Sequence, residues 1–222
     1  MMAGRLVGLS IICAAMMSAA TPGRDFSSYR GMQFSMNVPA AAKQAGMNAT
    51  DARTVHQRPA LIQELEWRPR FVEMTDPAKE GMLYFFNGEL FRMEITYDSY
   101  KVEGMTAEDM IGALSEPYGT ATRPAAEIAY HSVYGETAAV LARWENPEYS
   151  YNLVRTGDRS SYALVLYSKR INALAQMART EAVKLEAQEA PRRELEAQRK
   201  LDDEAKVALD KARSLNRPNF RP

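Results

Sequence analysis

Two short patterns recur about 70 residues apart in this chain. Ser35-Met36-Asn37-Val38-Pro39-Ala40 is echoed by Gly104-Met105-Thr106-Ala107-Glu108-Asp109. The run Phe91-Arg92-Met93-Glu94-Ile95-Thr96-Tyr97 is echoed by Ser161-Tyr162-Ala163-Leu164-Val165-Leu166-Tyr167. Solenoid arrays repeat every ~20–50 residues, so this longer period reads as a duplicated helix-plus-sheet unit. The expectation is an α+β fold: a domain over 21–170 built from two tandem helix-plus-antiparallel-sheet units, about 31–98 and 100–168.

Each unit opens on a helix signal. Asn37 can accept from the free amides of a first turn, Pro39 sits where a missing N–H costs little, and Gly46 can stop the helix. In the second unit Thr106 and Asp109 have capping-box spacing, Met110, Ile111 and Leu114 form an apolar stripe, and Pro117 and Gly119 end the helix. Strands follow. Asn87-Gly88 suits a two-residue hairpin turn that would pair Tyr84 with Phe91 and Met82 with Met93. Phe91, Met93, Ile95 and Tyr97 then form one apolar row, with Arg92, Glu94 and Thr96 on the other face. In the second unit, strands at Glu127–Tyr134 and Thr137–Trp144 flank Gly135-Glu136, and Tyr149–Arg155 and Ser160–Tyr167 flank Thr156-Gly157-Asp158. Ala163, Val165 and Tyr167 take the places of Met93, Ile95 and Tyr97. Residues from Thr21 to Tyr29 read as a polar leader.

Beyond Ile171 the composition shifts to Ala, Glu, Lys, Arg, Gln and Leu, a helical extension over 171–215. Its large apolar residues, Leu174, Met177, Val183, Leu185, Leu195, Leu201, Val207 and Leu209, do not sustain an a/d heptad, so the tail is like a coiled coil in composition only. Pro191 is expected to split it into two helices, and 216–222, with two prolines, to be a disordered tail.

The first twenty residues read as a signal peptide. Arg5 supplies the positive start, Leu6–Ala15 the apolar run, and Ser18-Ala19-Ala20 the small residues of a cleavage site after Ala20. The run is too short to span a bilayer, and no transmembrane span follows it. The protein is therefore expected to be periplasmic or extracellular. Cys13 is preceded by Ile12, where a lipoprotein site takes a small residue, so no lipid anchor is expected. Cleavage would leave a chain without cysteine. The balance of 28 basic and 28 acidic residues argues against nucleic-acid binding.

Chemistry-bearing motifs are absent from the sequence. There is no nucleophile elbow, phosphate loop, dinucleotide glycine set or metalloprotease helix. The two histidines, His56 and His131, each lack a second ligand at metal spacing. No catalytic, cofactor-binding or metal-binding residue is assigned, and no cofactor is expected. The remaining constellation is aromatic: Trp67, Tyr130, Trp144, Tyr149 and Tyr151, with Tyr134 and Tyr162, fall in strands. Sharing the face opposite the helices, they would suit a protein or peptide partner; the competing reading is that they pack the core.

Gly104-Met105-Thr106 before a helix, with Tyr118-Gly119 after it, resembles the pattern of the tandem-repeat β-lactamase-inhibitor proteins and of the SmpA/OmlA outer-membrane-assembly lipoproteins. Ser35-Met36-Asn37 and Ala45-Gly46 repeat it in looser form. The resemblance covers about 31–168 and implies a non-catalytic protein that binds others, here another envelope protein, through an open sheet face. Two alternatives remain: a small-molecule or catalytic site between the units, lined by His56, His131, Asp98 and Glu145, and an assembly role for the C-terminal helix.

Overall fold

The computed structural model describes residues 24–68, 77–124, 129–131, 137–155, 162–219 and 221. The segment expected to be a signal peptide and the turns at Gly135-Glu136 and Thr156-Gly157-Asp158 lie outside these residues. The end of the expected leader belongs to the core. Strands β1 (Ser28–Tyr29) and β2 (Met32–Gln33) pair antiparallel around Arg30-Gly31, both at positive φ, and Phe26, Tyr29 and Met32 enter the main apolar cluster.

The chain continues through α1 (Val38–Ala45), β3 (Arg53–His56), β4 (Ile62–Trp67), β5 (Ala78–Phe86) and β6 (Glu89–Tyr97). The second unit runs through α2 (Ala107–Tyr118), β7 (Ala129–His131), β8 (Thr137–Glu145), β9 (Tyr149–Arg155) and β10 (Tyr162–Ser168). A single helix, α3 (Lys169–Asn216), follows, and a 3-10 turn at Arg217–Asn219 extends it, so helical structure reaches into the segment expected to be disordered. The caps form as read. Asn37 Oδ1 accepts from the Ala40 amide at 2.9 Å, and Gly46 ends α1 in the left-handed region at φ 67°. Thr106 and Asp109 make the reciprocal capping box of α2. Pro117 lies inside the last turn of α2 rather than beyond it, and Gly119, at φ 89°, is the residue that stops it.

Eight strands form one antiparallel sheet in the order β3-β4-β5-β6-β10-β9-β8-β7. The order reads the same from both ends: each unit supplies four strands, and the last strands of the two units meet in the centre. This α+β architecture is the duplicated plan, with β3 an edge strand that the alternation of apolar residues does not reveal.

Two details of register differ from expectation. The Asn87-Gly88 turn forms, with φ 50° and 83°, and pairs Phe86 with Glu89 and Phe85 with Leu90. A bulge then adds one residue to β6, so Tyr84 pairs with Arg92 and Met82 with Glu94. Phe91 moves to the opposite face from Met93, Ile95 and Tyr97. The strand echo is also one residue out. Sixty-nine residues separate the caps Asn37 and Thr106, and the same spacing sets Tyr162, Leu164 and Leu166 in the places of Met93, Ile95 and Tyr97. All six face the same cluster, whereas Ala163 and Val165 face away, because a one-residue slip in a strand exchanges the faces.

Helices α1 and α2 cover one face through Val38, Ala41, Ala42 and Met110, over a core that includes Leu65, Leu83, Phe85, Met93, Ile95, Leu153 and Leu164. Helix α3 lies on the other face, where Ile171 and Ala175 pack on Tyr84 and Phe91.

Candidate interaction site on the C-terminal helix

Three of the five aromatics read as partner-facing belong to the core beneath α1 and α2. Trp67, Trp144 and Tyr151 are buried in the main cluster, and Tyr149 is half-buried beside it, stacked on Phe34 at 5.1 Å. Tyr130 lies on β7, where only its backbone is described. Trp144 Nε1 donates to the Gly119 carbonyl at 2.8 Å, and Tyr151 Oη donates to the Ser28 carbonyl at 2.8 Å. Phe26, Tyr118 and Tyr151 form edge-on and stacked contacts with centroids 4.9 to 6.0 Å apart. Burial pushes the Tyr118 phenol up to about 12 and raises that of Tyr151 further, so both serve as hydrogen-bonding groups at neutral pH.

The opposite face of the first unit, which the resemblance would leave open, is covered by the first half of α3. Ile171, Ala175 and Ala182 are buried and Ala178, Leu185 and Glu189 half-buried, a 4-3-4-3-4 spacing down one side of the helix. Alanines make up half of this stripe, which is why a search for large apolar residues passes over it; their small side chains let the helix lie close on the sheet. Beneath this face Arg92 is buried, paired with Glu94 at 2.8 Å and lying 5.6 Å from the Tyr84 ring centroid.

At its far side α3 is fastened to the edge strand. His56 Nδ1 lies 3.0 Å from Glu186 Oε1, and Arg58 Nη2 donates to both oxygens of Glu189 at 2.9 and 2.8 Å. Arg193 donates to the same carboxylate at 3.2 Å. The Arg58 hydrogen bond holds the Glu189 carboxyl below its ordinary range, against a smaller opposing effect of burial. These residues, with Thr54, Val55 and Leu185, line a groove of about 520 Å³ between β3 and α3. Its charges meet one another across the groove, which makes it a clamp on the helix.

Beyond this clamp α3 leaves the body. Every described residue from Ala190 onward is exposed, with Leu195, Leu201, Val207, Leu209 and Leu215 between 54% and 71% accessible. Pro191 does not divide the helix as expected: α3 is continuous through it. Pro191 has no N–H to give the Ala187 carbonyl, but strong helix formers on both sides carry the structure across.

The pair of histidines has no shared site. His56 is on β3 and His131 on β7, the two edges of the eight-stranded sheet, roughly 30 Å apart at ~4.8 Å per strand step. Asp98 accepts from the Tyr100 amide in a turn, and Glu145 pairs with Lys169 at the start of α3. Among the described residues no group of three or more His, Cys, Asp or Glu could hold a metal ion, and no helix is long and apolar enough to cross a membrane. In comparisons with known proteins the chain matches no family model, no curated protein and no solved structure.

Proposed function

We propose that the chain is an exported, non-catalytic protein-binding module of the cell envelope, and that it engages its partner through the projecting half of α3. The observation that carries this reading is the arm itself. Over two dozen consecutive helical residues stand off the body with five large apolar side chains in solvent. Isolated apolar residues on a surface are ordinary, but a helix that buries none of its own faces has its natural role in contact with another protein. The tandem α+β plan suits the resemblance to envelope-assembly lipoproteins, and the signal-like residues 1–20 suit export. The reading moves the binding surface from the sheet to the arm, because α3 occupies the sheet face of the first unit. The alternative of a ligand site between the units loses its main support with the histidines at opposite edges of the sheet.

Ending the chain after Ala190 removes no buried residue described, so the truncated protein should keep its near-UV signal and unfolding midpoint. Cross-linked capture from an envelope extract should recover partners with the full chain and lose them with the truncated one. Equal recovery by both would defeat the reading.

A further inference from the structure

The arm carries a second copy of the pattern that docks α3 on the sheet. The docked stripe reads Ile171, Ala175, Ala178, Ala182, Leu185; thirty residues on, the arm reads Leu201, Ala205, Ala208, Ala212, Leu215. Every residue of the first stripe is buried or half-buried, and every residue of the second is exposed. Thirty residues at 3.6 per turn rotate the second stripe by about 120° from the docked face. It therefore does not extend the contact with this chain's own sheet and needs a different cover.

The geometry points to self-association: residues 201–215 of α3 pair antiparallel with the same segment of a second copy. This rests on the reading of the arm as a binding element. The stripe is nearly palindromic about Ala208. A two-fold axis there sets Leu201 against Leu215 of the second copy and Ala205 against Ala212, with Ala208 at the axis, where its small side chain permits close approach of the two helices. On one flank Glu204 and Lys211 lie a heptad apart, so the same axis brings each Glu204 beside the other copy's Lys211. On the other flank Leu209 meets its own counterpart. The three most regularly placed leucines of the arm, 60–71% exposed in the single chain, are thereby covered together. A parallel in-register pair would instead set Glu204 beside Leu209 and Lys211 beside Asn216, with no opposite-charge contact. Charge pattern and stripe symmetry thus select one occupant and one direction.

Sedimentation equilibrium of the full chain over a wide concentration range should give a dimer, and Leu201→Glu with Leu215→Glu should give a monomer with unchanged near-UV signal. Glu204→Lys alone and Lys211→Glu alone should each weaken dimerisation about tenfold, by losing two symmetric pairs and creating repulsion, while the double exchange should restore it. A chain monomeric at every concentration overturns the inference, as does a dimer indifferent to the leucine changes. Single exchanges that are not rescued by the double exchange overturn the antiparallel arrangement. The reading of the arm as a binding element fails separately: capture of other envelope proteins that depends on the arm can persist in a chain that stays monomeric, and loss of that dependence leaves the mass measurement untouched.

Discussion

Trp144 shows what a core aromatic contributes here. It is 1% exposed, contacts the Tyr118 and Tyr151 side of the cluster, and satisfies the Gly119 carbonyl that ends α2. Trp144→Ala should cost about 3–5 kcal/mol by urea denaturation, through the cavity left behind. Trp144→Phe should cost less, about 1–3 kcal/mol, chiefly because it leaves the Gly119 carbonyl without its donor. A loss below about 0.5 kcal/mol for Trp144→Ala would contradict the packing described. Gly81 tests the opposite case. It pairs with Ile95 on β6 and Trp67 on β4, and an added Cβ would stand 2.9 Å from the Glu94 carbonyl oxygen, from Ile95 Cδ1 and from Trp67 Cε3. Because one of these neighbours is backbone, Gly81→Ala should destabilise by about 1–3 kcal/mol instead of giving the usual gain from replacing a strand glycine. A raised unfolding midpoint would mean that the strands separate easily at this point.

At the scale of elements, those with local chemical signals were readable and those made by tertiary contact were not. Asn37, Gly46, Thr106 and Asp109 name the ends of α1 and α2 because their side chains or backbone freedom do the capping themselves. Asn87-Gly88 names its hairpin for the same reason. The bulge at Phe91 has no such signature, and without it the pairing follows directly from the turn; one inserted residue carries Phe91 to the other face. Edge strand β3, with Arg53, Thr54 and His56, has little alternation to show because it is paired on one side only. The aromatics are visible as a set, but their assignment to a free surface requires knowing which face α1 and α2 cover, and Trp67, Trp144 and Tyr151 lie on that covered face. Pro191 was read by its intrinsic cost of ~3 kcal/mol in a helix interior, which a long run of strong helix formers absorbs. That cost should still be detectable locally. Pro191→Ala restores an N–H to the Ala187 carbonyl, and amide exchange of residues around 187–195 should slow by up to about a hundredfold, with the sheet amides unchanged. Unchanged exchange would mean that the turn around Pro191 is held by something other than its own hydrogen bonds.

For the whole molecule, the clamp between α3 and β3 decides where the body ends and the arm begins. Four side chains from distant parts of the sequence meet there: His56 and Arg58 from the edge of the sheet, Glu186 and Glu189 from the helix, with Arg193 adding to Glu189. The carboxyl of Glu189 is held below its ordinary value of 4.5, first by the Arg58 hydrogen bond. A depressed folded-state value means that the contribution is fully present above the ordinary carboxylate range and is lost as the pH falls through the folded value. Arg58 and Arg193 remain cationic throughout this window. Acidification below the ordinary value should therefore free the end of the docked segment and lengthen the arm toward Ala182, before the sheet itself unfolds. Limited proteolysis between residues 182 and 190 should report this as new cleavage at acid pH by a protease active there. Glu189→Gln leaves the His56–Glu186 contact in place and removes the Glu189 carboxylate, so its cleavage should be raised already at neutral pH and should rise less on acidification than that of the wild type. If the wild type and Glu189→Gln are cleaved alike at every pH, the clamp does not set the boundary, and the buried stripe from Ile171 to Ala182 alone decides how much of α3 belongs to the body.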